Sequence, residues 1–230
     1  MRDEGGVRTP PSSHVRLRYP ARPEASLLYN PVVLPPLFLE ATCFLFGLVV
    51  GSFLNVVIAR VPAGQSIVRP RSACPACATP IRWDDNVPVL SWLRLRGRCR
   101  ACRAVISWRY PAVELLTAVL FALAARQLGP TPDLGPALLL LAALVAITGI
   151  DLDHQIIPDV ITLPGVVVGA VANVAVRPER WPDTLLGIVV GGGLFLIIIL
   201  ASGGGMGGGD MKLGAMMGAF LGWKLALLAI

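Results

Sequence analysis

The chain has 230 residues, 55% of them hydrophobic and only 15% charged, with a mean hydropathy of +0.69. That balance excludes a freely soluble globule, and apolar runs of about 20 residues match a bilayer core roughly 30 Å thick. The expected fold class is an all-α polytopic membrane protein, a helical bundle of about six transmembrane helices. The net charge of +6 is modest, and two histidines, His14 and His154, leave little material for a histidine-rich metal site.

In chain order, residues 1–33 hold five arginines and five prolines with few large apolar residues, so a disordered N-terminal tail is expected there. Residues 34–58 form the first predicted span. Its apolar run from Leu37 to Ile58 ends in Ala59-Arg60-Val61-Pro62, which reads as a retained helix rather than a cleaved signal peptide. Residues 59–110 form a large polar loop. Residues 111–230 form the remaining membrane core, with apolar runs near 111–128, 135–150, 160–176, 184–202 and 213–230. Gly129-Pro130, Asp133 and Arg177-Pro178 punctuate those runs as turns.

Ten of the twenty basic residues fall between Arg60 and Arg109, against only Asp84 and Asp85. The positive-inside rule therefore puts this loop in the cytoplasm, with 151–159 and 203–212 on the same side and 129–134 and 177–183 outside. The arginines of the tail pull the other way, and the denser loop sets the expected orientation. Simple orientation signalling and contact with anionic lipid headgroups account equally well for the loop's arginines.

Within the loop, Cys74-Pro75-Ala76-Cys77 and Cys99-Arg100-Ala101-Cys102 are two CxxC knuckles separated by 21 residues. Each presents two thiolates from a tight turn, and the four together suit a tetrahedral Zn²⁺ site that would supply much of the folding energy of a core-poor loop. Paired disulfides or a redox CxxC compete. A cytoplasmic location disfavours the first, and no thioredoxin-like βαβ pattern supports the second. Between the knuckles, Trp83, Val87, Val89, Leu90, Trp92, Leu93 and Leu95 are expected either to form a small core or to lie on the membrane surface. A loop tethered between two spans makes nucleic acid an unexpected partner. Cys43, inside the first span, is read as a packing residue.

Two acidic motifs follow. The third span runs into Ile150-Asp151-Leu152-Asp153-His154-Gln155-Ile156-Ile157-Pro158-Asp159, and the fifth into a glycine run ending Gly207-Gly208-Gly209-Asp210-Met211-Lys212. Carboxylates bordering a span are costly, about 2.5–3.5 kcal/mol at the bilayer centre and less near its edge, so they usually have a task or a partner. Both motifs reach the same face in the expected topology. Two carboxylates sharing a partly desolvated site cannot both ionise easily. The charged one can then draw a proton from water while the protonated one donates to a substrate carbonyl, as in aspartic proteases. Taken singly, each motif is read equally well as a polar helix end, with Asp159 and Asp210 as N-caps. In a helix Asp153 points about 200° away from Asp151, so one shared site does not use both. The glycine before Asp210 would let a neighbouring helix or substrate strand approach closely. Gly191-Gly192-Gly193 is read as a packing device.

Together these segments resemble the bacterial type IV prepilin peptidase family, a group of GxGD-type membrane aspartic peptidases. The matching residues are Gly51-Ser52-Phe53-Leu54-Asn55-Val56-Val57, the two CxxC knuckles, Asp85 to Trp92, Leu95 to Cys99, Ser107 to Glu114, Ile150 to Gln155 through Pro158-Asp159, and Gly207 to Leu213. They cover roughly residues 40–225. The resemblance implies an endopeptidase in the bacterial cytoplasmic (inner) membrane that removes the basic leader of type IV prepilins and the pseudopilins of type II secretion, after a glycine at the cytoplasmic face. By position it implies Asp151 and Asp210 as the catalytic pair, Asp151 being the aspartate seven residues before Pro158. It also implies N-methylation of the new N-terminus with S-adenosylmethionine, for which the sequence assigns no binding residues. The tail is longer than usual in the family, the segment before Asp210 is richer in glycine, and many relatives continue beyond the position of Ile230. Two other readings compete: a catalytically inactive zinc-bearing membrane scaffold of a pilus or secretion system, and a small proton- or cation-coupled transporter. The transporter should show internal repeats, and no convincing one is found.

Overall fold

A computed structural model describes residues 36–202 and 207–230; residues 1–35, which include the expected tail, and residues 203–206 lie outside the described residues. Among the described residues the chain is helical: α1 (Pro36–Arg60), the short α2 (Leu90–Arg94), α3 (Arg109–Leu128), α4 (Leu134–His154), α5 (Asp159–Val176), α6 (Trp181–Ala201) and α7 (Gly208–Ala229). All but α2 are long and apolar enough to cross a membrane, so this is a multi-pass membrane protein. Its outward surface is leucine, valine and isoleucine, as lipid contact requires.

Two helices run past their apolar stretches. Helix α4 continues beyond Ile150 through Asp151-Leu152-Asp153-His154, and α7 starts at Gly208 rather than near residue 213. The added charges have local reasons to be helical. Asp153 is paired with Arg109 of α3, Lys212 with Asp159 of α5, and Asp210 sits in the first turn of α7 where the helix dipole favours an anion.

Helices pack where glycines let them. On α6 and α7, Gly187 and Gly191 meet Gly218 and Gly214 backbone to backbone: a Cβ on Gly218 would fall 1.9 Å from Gly187 O, and one on Gly191 2.2 Å from Gly214 O. Gly47 and Gly51 also bring α1 close to α3, where a Cβ would lie 2.6 Å from Ala118 Cα and 2.7 Å from Glu114 Cα. A kink at Gly222 (φ +73°) interrupts α7. The buried Asn173 amide of α5 donates to Ala219 O, Phe220 O and Thr184 Oγ1, each at 3.2 Å, satisfying carbonyls near the kink and tying three helices together.

The contacts between helix ends sort the connections. Arg109 joins the start of α3 to the end of α4, Lys212 joins the starts of α5 and α7, and the Asn55 amide of α1 donates to Tyr110 O at 3.0 Å. The cysteine loop, the α4–α5 turn and the start of α7 therefore share one end of the bundle. At the other end Arg177, after α5, pairs with Asp133, before α4.

Candidate active site and metal centre

The two cysteine knuckles are copies of one another in hydrogen bonding. Cys74 N donates to Thr79 O (3.0 Å), Ala78 N to Cys74 O (2.8 Å) and Ile81 N to Ser72 O (2.8 Å). At the same offsets, Cys99 N donates to Ala104 O (2.8 Å), Arg103 N to Cys99 O (3.1 Å) and Ile106 N to Gly97 O (2.7 Å). Ala78 and Arg103 occupy equivalent left-handed positions, φ +55° and +62°.

The turns converge four thiols whose Sγ atoms all lie within 4.8 Å of one another, with Cys74–Cys102 at 3.8 Å and Cys77–Cys99 at 4.0 Å. A tetrahedron of Zn–S bonds near 2.3 Å has edges of about 3.8 Å, so the donor set fits a zinc ion and is far from disulfide spacing. The thiols are electrostatically unequal. The Thr79 hydroxyl and amide favour the Cys77 thiolate and bring it down to about 6. The Cys99 thiol is also lowered, by the amides of Cys102 and Ala101. At Cys102 the Ala104 amide favours the thiolate, but the bonds to Cys77 and Cys99 together with desolvation push it up to about 11.

Between the knuckles the apolar residues divide. Trp92 turns inward, its Nε1 donating to Ile106 O at 3.1 Å and its ring lying against Gly97, whereas Trp83, Leu90 and Leu93 are exposed. Asp85 organises this segment. Arg100 grips its carboxylate with two bonds (2.7 and 2.5 Å) and Arg94 adds a third (2.7 Å), and together, Arg100 foremost, they hold Asp85 down to about 2 against partial burial. The loop is then fastened to the bundle by Glu114 of α3, whose buried Oε2 accepts from Val89 N at 2.7 Å.

The aspartates are positioned by helix register. Leu140, Leu144 and Ile147 of α4 pack with Leu213, Met216 and Phe220 of α7 in one apolar cluster. Asp151 follows Ile147 by four residues and Asp210 precedes Leu213 by three, so each carboxylate continues the stripe its helix presents to the other. Asp153, rotated away, meets Arg109, which also donates to Gly149 O at 3.0 Å. Asp159 is bound by Lys212 at 2.6 and 2.7 Å. Neither Asp159 nor Asp210 is an N-cap: Pro158 and Gly207 hold those positions, with no side-chain cap bond. Among the described residues neither Asp151 nor Asp210 has a cationic partner, and no hydrogen bond joins them. Gly209 lets the α4–α5 turn come close, since a Cβ there would lie 2.8 Å from Ile157 Cβ.

Sequence reasoning did not single out three of these residues. Arg109 and Lys212 find partners 44 and 53 residues away, which no local pattern reveals. Glu114 did carry a signal, a lone carboxylate near the start of an apolar run.

Fold and site define a class: a polytopic membrane protein with a four-cysteine metal-ready loop and two unpaired aspartates at the same end of its bundle. Residues 45–128 match the family model described as Bacterial Peptidase A24 N-terminal domain, and residues 138–230 match that of the Type IV leader peptidase family. A prepilin leader peptidase/N-methyltransferase of Myxococcus xanthus is 48% identical over 197 residues, covering 84% of this chain and 58% of that protein. Proteins of the same name from Aeromonas hydrophila and Pseudomonas aeruginosa are 41% and 40% identical, with 79% and 85% of this chain covered and 72% and 77% of theirs. No solved structure gives a significant match. The chain belongs to the type IV leader peptidase family.

Proposed function

We propose that the protein is a leader peptidase of the bacterial cytoplasmic membrane, acting on type IV prepilins and pseudopilins, with Asp151 and Asp210 as its catalytic pair. The observation that supports this best is the register of α4 and α7, whose facing apolar stripes each end in an aspartate free of cationic partners. The names of the relatives agree with it. The ionised aspartate takes a proton from a water as its oxygen attacks the scissile carbonyl carbon, and the protonated aspartate donates to the carbonyl oxygen. Collapse of the resulting tetrahedral species breaks the C–N bond, with a proton passing to the departing amine. In this reading the end of the bundle that carries the cysteine loop faces the cytoplasm, where ten arginines between Arg60 and Arg109 would lie beside anionic lipid. A structural zinc ion on Cys74, Cys77, Cys99 and Cys102 would fix the loop. The relatives' names further support N-methylation of the freed N-terminus.

The test is incubation of the purified protein in lipid nanodiscs with a prepilin, read by mass spectrometry. Removal of a basic leader followed by gain of one methyl group in the presence of S-adenosylmethionine is the expected product series. An intact prepilin in every lipid composition would favour a scaffold without turnover.

A further inference from the structure

The segment between the cysteine knuckles is packed the wrong way round for a loop in water. On α2, Ser91 is buried, its Oγ accepting from Val87 N (3.0 Å) and donating to Asp84 O (3.2 Å), and Trp92 turns inward to Ile106 O. Leu90 and Leu93, one turn apart on the opposite side of α2, are 64% and 58% exposed. Trp83, on the turn that Ser91 and Arg94 hold against α2 through Asp84 O, is 86% exposed. An inward serine with outward leucines and tryptophan marks a surface that meets something apolar.

Its depth identifies what it meets. Val89 N rests on Glu114 Oε2 at 2.7 Å, and Glu114 belongs to α3, which is long and apolar enough to span a membrane from Arg109. At 1.5 Å per residue Glu114 lies about 7.5 Å inside the start of that span, and a helical side chain leaning toward the N-terminus returns part of the distance. Leu90, next to Val89, is therefore fastened at the level where α3 enters the bilayer, a level also marked by Trp108, exposed directly before α3. The charges suit the same place. Asp84 and Asp85 are neutralised within the segment by Arg82, Arg94 and Arg100. The exposed Arg96 and Arg98, just after α2, meet no carboxylate among the described residues and are left for lipid phosphates.

We propose that the outward face of α2, Leu90 and Leu93 with Trp83 beside them, is an interfacial foot. It sits among the headgroups and first acyl carbons of an anionic leaflet and fastens the cysteine loop to the membrane surface, in addition to the Glu114 bond. With five residues α2 could not hold a membrane by itself. The folded loop and α3 present it at the required depth. Such a foot requires only the multi-pass fold and is independent of cleavage and methylation.

Tryptophan reporters at the two leucines test this. Leu90→Trp and Leu93→Trp are each prepared as the full zinc-loaded chain, one chain per nanodisc, in phosphatidylglycerol mixed with phosphatidylcholine whose acyl chains are either plain or brominated. The wild-type emission is subtracted. Emission of the added tryptophan should fall about twofold or more in the brominated lipid, and acrylamide in the water should quench it weakly. Zinc content and thermal midpoint report whether each variant is folded. If neither is, Trp83→Phe decides, since it should remove a lipid-quenched part of the native emission. Strong quenching by acrylamide with no loss to brominated chains would place the face in water and overturn the foot. Protection from acrylamide with no loss to brominated chains would put a protein surface over the face and overturn it equally.

Discussion

Asp151 and Asp153 stand two residues apart on the last turn of α4, and helical geometry sends them to different neighbours. Asp153 turns to Arg109, and the pair is more than a third exposed on both sides, the kind of ion pair worth about 0–1 kcal/mol. Asp153→Asn should therefore lower leader cleavage only a few-fold, whereas loss of a group that moves a proton in the reaction costs about 10²–10⁴-fold. Rate measurements on Asp151→Asn and Asp153→Asn, side by side, separate the roles. Gly209 offers a second check. A side chain there must displace Ile157, so Gly209→Val should cost about 1–3 kcal/mol and shift the start of α7, read as a lower thermal midpoint together with slower cleavage. Asp85 gives a pH signature. Its folded value, about 2, lies below its ordinary 3.8, so the stabilisation it gives the loop is fully present above pH 3.8 and is lost as the pH falls toward 2. Asp85→Asn should remove that acid-dependent part of the loop's unfolding, followed by tryptophan fluorescence. The sequence marked all four aspartates at the two motifs. It could not separate those with partners from those without, because Arg109 and Lys212 lie 44 and 53 residues along the chain from the aspartates they pair with.

Among the elements, the cysteine loop was the most legible and the helix contacts the least. Two CxxC turns 21 residues apart announce a four-thiol centre whatever surrounds them, because the chemistry resides in short turns with fixed local bonds. Zinc should be near one per chain in the wild type and near zero in Cys74→Ser/Cys99→Ser, measured by atomic emission; equal contents would count against the site. How the loop docks was not legible, since the bond from Val89 to Glu114 depends on backbone conformation at a residue that sequence patterns would make a strand former. The α6–α7 contact shows a similar boundary. Gly191 was marked as a packing residue within Gly191-Gly192-Gly193, but the groove is built from Gly187 and Gly191 against Gly214 and Gly218, while Gly193 faces open space. Spacing of four on two separate helices carries that contact, and only docking shows which glycines face each other. Gly218→Val would drive a side chain into the Gly187 carbonyl, and a marked fall in the yield of folded protein, seen by size-exclusion profile, is the expected consequence.

At the scale of the whole molecule, scarce charge is arranged along the bundle axis. The cysteine loop with its arginines, Asp151 and Asp210 occupy one end, and the Asp133–Arg177 pair marks the other. The number of spans followed from hydropathy alone, but their ends did not, because α4 and α7 carry charged residues inside their helical limits and neutralise them through contacts between helices. Asp153 and Asp159 are paired and tie the bundle end together, whereas among the described residues Asp151 and Asp210 have no cationic partner, which is why the proposed chemistry is placed on them. The most direct test is prepilin cleavage by Asp151→Asn, Asp210→Asn and the double variant, each shown to be folded and zinc-loaded. Groups that act as one unit are not additive, so all three should fall to the same background rate. A wild-type rate in either single variant would contradict the assignment of the pair.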